Sequence, residues 1–296
     1  MTTVLVAGSS GLIGTALCRE LRSSGWAVRR LVRRESRSAD DIRWDPATPL
    51  SPAHLSGVDA VVNLAGAGIG DHRWTPEYKN LIASSRVTST RTLAAAIAGA
   101  ERPVRLVQGS AVGYYGDRGE EALDESSHPG RGFLVDVVRQ WESAADEAVA
   151  AGAPVAYLRT GIVLAPSGGA AEPMLRLGRL GLLGPMGSGR QWCAWITLAD
   201  EVGAVVHLIE HPEIVGPVNA VGPAPARQVD VARALAARLH RPAFVPAPAF
   251  ALRAVLGEFA SDVLGSQRVV GSVLVDSGYV HIHKDLDAAA AYVTGR

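Results

Sequence analysis

Gly8, Gly11 and Gly14 stand three residues apart behind the apolar run Val4-Leu5-Val6-Ala7, and a helix-prone segment over 15–22 follows at once. A strand that turns this tightly into a helix aims backbone amides at a pyrophosphate. Gly8 permits the turn, Gly11 lets backbone approach phosphate, and Gly14 lets the helix pack closely on the strand. Ser10, Leu12 and Ile13 would line the same cradle. The spacing differs from the G-x-G-x-x-G of NAD dehydrogenases.

The second strand-like segment, Ala27–Val32, ends at Arg33 and Arg34. Sites that prefer NAD place a carboxylate here for the ribose hydroxyls, whereas a guanidinium pairs with a ribose phosphate. NADP (NADPH) is therefore expected over NAD, with Arg33 the first choice for the phosphate and Arg34 the second. Glu35 would serve as a ribose acid if the strand ran on. The cluster of Arg29, Arg30, Arg33 and Arg34 also suits a plain solvated face.

Positioning these groups requires an alternating α/β pattern, and the chain has one. Strand-like segments recur at 59–66, 104–108 and 155–160, and helical periods run over Pro76–Ala98 and 133–151. The pattern predicts a Rossmann-type, doubly wound parallel sheet with helices on both faces. Ligands of such sheets sit at the carboxyl ends of the strands. The tails at 63–70, 109–116 and 159–164 should therefore converge near the glycines, bringing Leu64, Ala65 and Gly66 to the nucleotide. Beyond residue 165 the rhythm changes to Gly-, Leu- and Pro-rich sequence. The expected division is a dinucleotide-binding domain over 1–165, with 196–222 returning to it, and a smaller substrate-side region over 166–195 and 223–296.

Lys plus Arg and Asp plus Glu both total 29, so the formal charge is zero. That argues against a nucleic-acid or membrane-surface role. Cys18 and Cys193 are the only cysteines and lack metal-like spacing. His281 and His283 alternate as in a strand without a third ligand, so no metal is expected. With no cationic apolar leader before Val4 and no uninterrupted apolar span, a soluble cytoplasmic protein is expected. A small-molecule substrate is the expected partner, and flanking helices of such sheets often pair into homodimers.

The chain resembles the extended short-chain dehydrogenase/reductase relatives called the epimerase family, from end to end. The resemblance rests on Gly8–Gly14, Asn63-Leu64-Ala65-Gly66-Ala67, Arg73-Trp74, Ser85-Arg86, Ser110-Ala111-Val112-Gly113-Tyr114-Tyr115-Gly116 and Trp141-Glu142. It continues through Gly187-Ser188-Gly189, Trp195-Ile196 with Asp200, and Leu264-Gly265-Ser266-Gln267-Arg268-Val269 in a small carboxyl-terminal module. It implies hydride transfer with a nicotinamide cofactor, and an acid that is usually a Tyr with a Lys four residues later. Here the matching helix begins Gly132-Phe133-Leu134-Val135-Asp136-Val137, without either residue.

Ser110, Tyr114 and Tyr115 are then the candidates at the end of a central strand. Ser110 would orient a substrate oxygen, and either Tyr would supply a proton if a cation lowered its pKa from about 10. The doubled Tyr leaves open which one, and one of them simply packing against the cofactor is the plainer reading. Lys79 and Arg86 share a helix face and could reach an anion, or merely be solvated. Arg159 could contact substrate or form an ion pair, and Cys193 reads as packed. The expected activity is an NADP-dependent oxidoreductase acting on a carbonyl or secondary alcohol. An epimerase/dehydratase that retains its cofactor and a non-catalytic NADPH-binding sensor are the alternatives.

Overall fold

A computed structural model describes residues 2–295. Seven strands form one parallel sheet: β1 (Thr3–Ala7), β2 (Ala27–Val32), β3 (Asp41–Arg43), β4 (Ala60–Asn63), β5 (Arg105–Ala111), β6 (Val155–Thr160) and β7 (Gly216–Ala220). Their order across the sheet is β7-β6-β5-β4-β1-β2-β3. The direction of winding reverses between β1 and β4, which opens a crevice at their carboxyl ends. The doubly wound α/β expectation holds.

Alternation within each strand explains why both faces carry helices. Val4 and Val6 of β1 pack into one core with Leu17, Cys18 and Leu21 of α1 (Leu12–Ser23). Leu5 and Ala7 point the other way, into a core with Leu93 and Ile97 of α2 (Pro76–Ala98). β1 and β4 are apolar on both sides, as a parallel sheet covered on both faces requires. Thr75 caps α2 through its side chain, and Pro76 occupies the first turn where no amide partner is needed.

The helix expected over 133–151 is two: α3 (Phe133–Ser143) and α4 (Asp146–Ala150). Between them the bonding tightens, with the Ala145 amide donating to the Glu142 carbonyl at 3.1 Å. Such i→i+3 bonding is common where an α-helix ends. β3 has no counterpart in the sequence reading, because an edge strand this short and polar carries too little alternation to register.

The longer of the later helices are α5 (Ala171–Arg179), α6 (Leu198–Glu210), α7 (Gln228–Arg238), α8 (Ala249–Leu256) and α9 (Leu286–Thr294). α6 joins the sheet core, whereas α5, α7 and α9 share a separate core around Leu175, Leu235 and Val293. The Lys79–Glu258 ion pair (2.6 Å) and Phe259 against Trp74 (5.2 Å between ring centres) tie the last part of the chain to α2. Among the described residues no helix is long and apolar enough to cross a membrane.

Candidate functional site

The glycine turn is closed by contact. Gly8 has φ +80°, and a Cβ there would lie 2.6 Å from the Leu64 carbonyl. A Cβ on Gly14 would drive into the Gly8 carbonyl oxygen. Gly11 differs: the nearest atom to its absent Cβ is that same oxygen at 3.4 Å, and the residue is exposed. Helix α1 begins behind Gly11 with no side-chain cap and no acidic residue in its first turn. Its leading amides and dipole are left to an anion, so the donor set fits a pyrophosphate. Ser10 and Gly11 are exposed and Leu12 and Ile13 half-buried at this mouth.

Register brings the β4 tail to the same place. Ala7 pairs with Asn63, so Gly8 leaves β1 directly opposite Leu64. Asn63 is fully buried, donates to Thr90 Oγ1 (3.1 Å) and Gln108 Oε1 (3.0 Å), and accepts the Ala65 amide (3.2 Å). Arg86 donates to the Ala67 carbonyl (2.8 Å) and lies along Gly66, where a Cβ would meet it at 3.1 Å. Burial pushes the Arg86 guanidinium down to about 10, still cationic at neutral pH. It braces the loop carrying Leu64, Ala65 and Gly66, which is a positioning role absent from the sequence reading.

β2 ends at Val32, so Arg33 and Arg34 follow it as expected. Arg33 is exposed and has no ion pair or hydrogen bond among the described residues. Arg34 is already engaged, pairing with Asp41 at 3.1 Å and donating to the Glu35 carbonyl at 2.7 Å. Asp41 also accepts from Arg30 at 2.8 Å. Burial alone would raise its carboxyl, but the Arg37 amide and the two guanidiniums outweigh that and hold it below the usual range. Much of the arginine cluster is therefore a paired framework, and Arg33 is its free member.

The β5 and β6 ends are built differently. Ser110 donates to Glu142 Oε1 at 2.6 Å and is 4% exposed. Arg159 grips Glu142 with two bonds (2.9 and 3.0 Å) and donates to the Tyr115 hydroxyl at 3.0 Å. Tyr115 donates in turn to Asn219 Oδ1 at 2.8 Å and has no exposed surface. Burial pushes its phenol up to about 12, against the pull of Arg159. Burial works against the Arg159 charge too, but Glu142 and Tyr115 hold its affinity for the proton above the ordinary value.

These bonds bear on two of the candidates: the Ser110 hydroxyl donates to Glu142, and the Tyr115 hydroxyl donates to Asn219 and accepts from Arg159. Tyr114 remains. It is half-buried, its ring lies 3.5 Å beneath the Arg159 guanidinium, and its hydroxyl has no partner among the described residues. Glu142 and Asn219 were missed as partners, although a polar residue set within an apolar strand, as Asn219 is, signals a buried bond.

Phe133, where the resemblance would put the acid, packs edge-on against Trp74 at 5.0 Å, with the Lys79 ammonium 4.5 Å above its ring. Lys79 and Arg86 thus take up separate internal bonds. His281 Nε2 lies 2.9 Å from the Val221 carbonyl and His283 Nδ1 lies 3.0 Å from Asp200. Burial pushes the Cys193 thiol up to about 12, which keeps it protonated. Thr160, the last residue of β6, donates to Glu201 Oε1 at 2.7 Å. Glu201 is fully buried, its Oε2 has no partner among the described residues, and burial pushes it up to about 8.

Comparison with known proteins agrees with this geometry. Residues 4–221 match the NAD dependent epimerase/dehydratase family, and residues 247–293 match a domain of unknown function, DUF1731. The chain is 41% identical to an epimerase family protein, Mb2239, of Mycobacterium bovis, over 99% of this chain and 98% of that one. It superposes on the crystal structure of human epimerase family protein SDR39U1 (isoform 2) with NADPH at a TM-score of 0.91. That match has 33% identity and covers 100% of both chains. A nucleoside-diphosphate sugar epimerase from Corynebacterium glutamicum matches at a TM-score of 0.83 and 34% identity, over 99% of this chain but 58% of that one. A glycine-lined crevice at the β1/β4 switch, in a chain matched over its whole length, places this protein in the NAD-dependent epimerase/dehydratase family.

Proposed function

We propose that this chain is an NADPH-dependent oxidoreductase of the extended short-chain type, acting on a carbonyl or secondary alcohol of a small organic molecule. The observation that carries the reading is the free Arg33 guanidinium beside a glycine turn whose amides have no internal cap. The human relative with NADPH in its crystal structure supports it. The Gly8–Gly14 turn, with Ser10, Leu12 and Ile13, would hold the pyrophosphate. Leu64, Ala65 and Gly66 would wall the nucleotide on the β4 side. Arg33 would pair with the ribose phosphate, with Arg34 behind it. The nicotinamide, when bound, supplies or takes the hydride. Tyr114 would give or take the proton at the substrate oxygen, steadied from behind by Arg159. Ser110, Glu142 and Tyr115 would fix Arg159 rather than touch substrate.

The name of the C. glutamicum relative favours a second reading, in which hydride leaves and returns on one sugar nucleotide. An epimerase of that kind keeps its cofactor, so purified protein would carry bound nicotinamide. A reductase consumes added NADPH in proportion to product. The test is NADPH oxidation across a panel of small carbonyls, with binding of NADPH and NADH measured by calorimetry on wild type and Arg33→Asp. Stoichiometric oxidation, and a loss of NADPH affinity of about tenfold or more with little change for NADH, are expected. Tight NADPH binding with no oxidation of any carbonyl overturns the oxidoreductase reading, and equal loss for both cofactors removes Arg33 from the phosphate.

A further inference from the structure

Large apolar side chains protrude from two stretches of the chain, 180–182 and 244–255. Leu180 is 72% exposed, Phe244 73%, Phe250 75% and Val255 73%, with Leu182 about half-exposed beside them. They come from two segments that touch. The Ala247 amide donates to the Pro185 carbonyl at 2.9 Å, the Gly187 amide donates to the Ala247 carbonyl at 2.8 Å, and the end of α5 abuts Leu239 through Gly178. α8, between Phe250 and Val255, is almost wholly apolar yet has no buried residue. A monomer seldom leaves so much apolar surface in one place without a use for it.

The charge around this corner is one-sided in a chain whose total is zero. Segments 171–190 and 238–259 contain six arginines and two glutamates. Both glutamates are already paired, Glu172 with Arg176 and Glu258 with Lys79. Arg179, Arg241 and Arg253 are exposed, have no ion pair among the described residues, and each lies within three residues of a protruding apolar tip. In α5 the sequence Arg176-Leu177-Gly178-Arg179-Leu180 repeats an Arg-Leu pair at one-turn spacing, which sets guanidiniums beside leucines along the helix. Apolar tips flanked by arginines are the pattern of segments that lie in a bilayer interface.

We propose that this corner docks on an anionic lipid surface, with Leu180, Phe244, Phe250 and Val255 entering the headgroup boundary and Arg179, Arg241 and Arg253 meeting the lipid charges. A fluid acyl layer accepts separate protruding tips without a matching pocket. A second copy of the chain, meeting this face about a two-fold axis, would set arginine against arginine instead. The contact is reversible, because it rests on a few shallow tips plus charge. None of these residues is among those proposed to hold the nucleotide or move the proton, so the docking test does not depend on the proposed reaction.

The test is cosedimentation of the full chain with phosphatidylcholine vesicles, with and without phosphatidylglycerol. Binding to the mixed vesicles only, with release at about 1 M salt, is expected. The triple variant Arg179→Glu, Arg241→Glu, Arg253→Glu should lose at least about tenfold in partitioning. The double variant Phe244→Ser, Phe250→Ser should lose a similar factor, and every changed residue is exposed, so thermal midpoints should be kept. No binding to mixed vesicles, or equal binding to neutral ones, overturns the proposal. So does a concentration-dependent dimer in light scattering that the double Phe variant dissolves, which would assign the face to a second copy.

Discussion

The carboxyl ends of β1, β2 and β4 and those of β5 and β6 lie along one edge of a single sheet but are built on opposite plans. At the first, the groups that would face a ligand are left open: Gly11 is exposed, α1 has no side-chain cap, and Arg33 has no partner among the described residues. At the second, nearly every polar atom is spoken for, from Ser110 through Glu142 and Arg159 to Tyr115 and Asn219. An anion-binding site made of backbone must stay unsatisfied until its ligand arrives. A buried charge has no such freedom, since without a partner it would cost several kcal/mol. The openness of one region and the closure of the other therefore share a cause, which is where water is excluded.

Breaking the closed region should produce the largest effect. Arg159→Met strands the Glu142 carboxylate and the Tyr115 hydroxyl, and a loss of about 3–5 kcal/mol in urea unfolding is expected. Loss of under about 1 kcal/mol would mean that the network is not closed in solution.

Next come the glycines. Gly14→Ala forces Gly8 and α1 apart, so a stability loss of about 1–3 kcal/mol together with lost NADPH affinity is expected. Gly11→Ala has room at 3.4 Å, and should weaken NADPH while leaving the thermal midpoint in place. Equal destabilisation by both would erase the distinction between a glycine needed by the fold and one needed by the ligand.

A smaller effect separates the two tyrosines. Tyr114→Phe should cut turnover at least about tenfold with stability unchanged. Tyr115→Phe removes the donor to Asn219 and the acceptor for Arg159, so about 1–3 kcal/mol of stability should go. The opposite assignment of effects would return Tyr115 to the chemistry.

An effect confined to one pH window concerns the loose end of the closed region. Glu201 binds its proton up to about pH 8 in the folded chain, against an ordinary value of 4.5. The folded state therefore holds more protons than the unfolded one across that window, and stability falls as pH rises through it. Glu201→Gln should flatten this slope in thermal midpoints measured from acid to mildly alkaline pH. An unchanged slope would locate the proton elsewhere.

The same contrast governs what could be read from the sequence. Gly8, Gly11 and Gly14 were legible because a backbone site is specified by residues adjacent in the chain, and Arg33 because a strand end fixes its place. The helix Pro76–Ala98 was legible to the residue from its apolar period and the Gly99 that bounds it. The fate of Ser110 and Tyr115 was not. It depends on Glu142, Arg159 and Asn219, which meet only when α3, β6 and β7 have packed around β5. A serine or tyrosine at a strand end looks the same in sequence whether its hydroxyl is free or bonded. Arg86 was half-legible: its helix face was right, but its target, the Ala67 carbonyl, lies on a loop that sequence cannot aim.

β7 enters the sheet late in the chain, after the whole of α5 and α6 has been made. During translation, the ribosome must extrude residue 220 before β6 gains its outer neighbour. Until that moment the emerging chain shows an unzipped strand edge, ready to pair with another nascent copy. A premature stop anywhere ahead of Gly216 should therefore give aggregated product rather than a free-standing nucleotide binder.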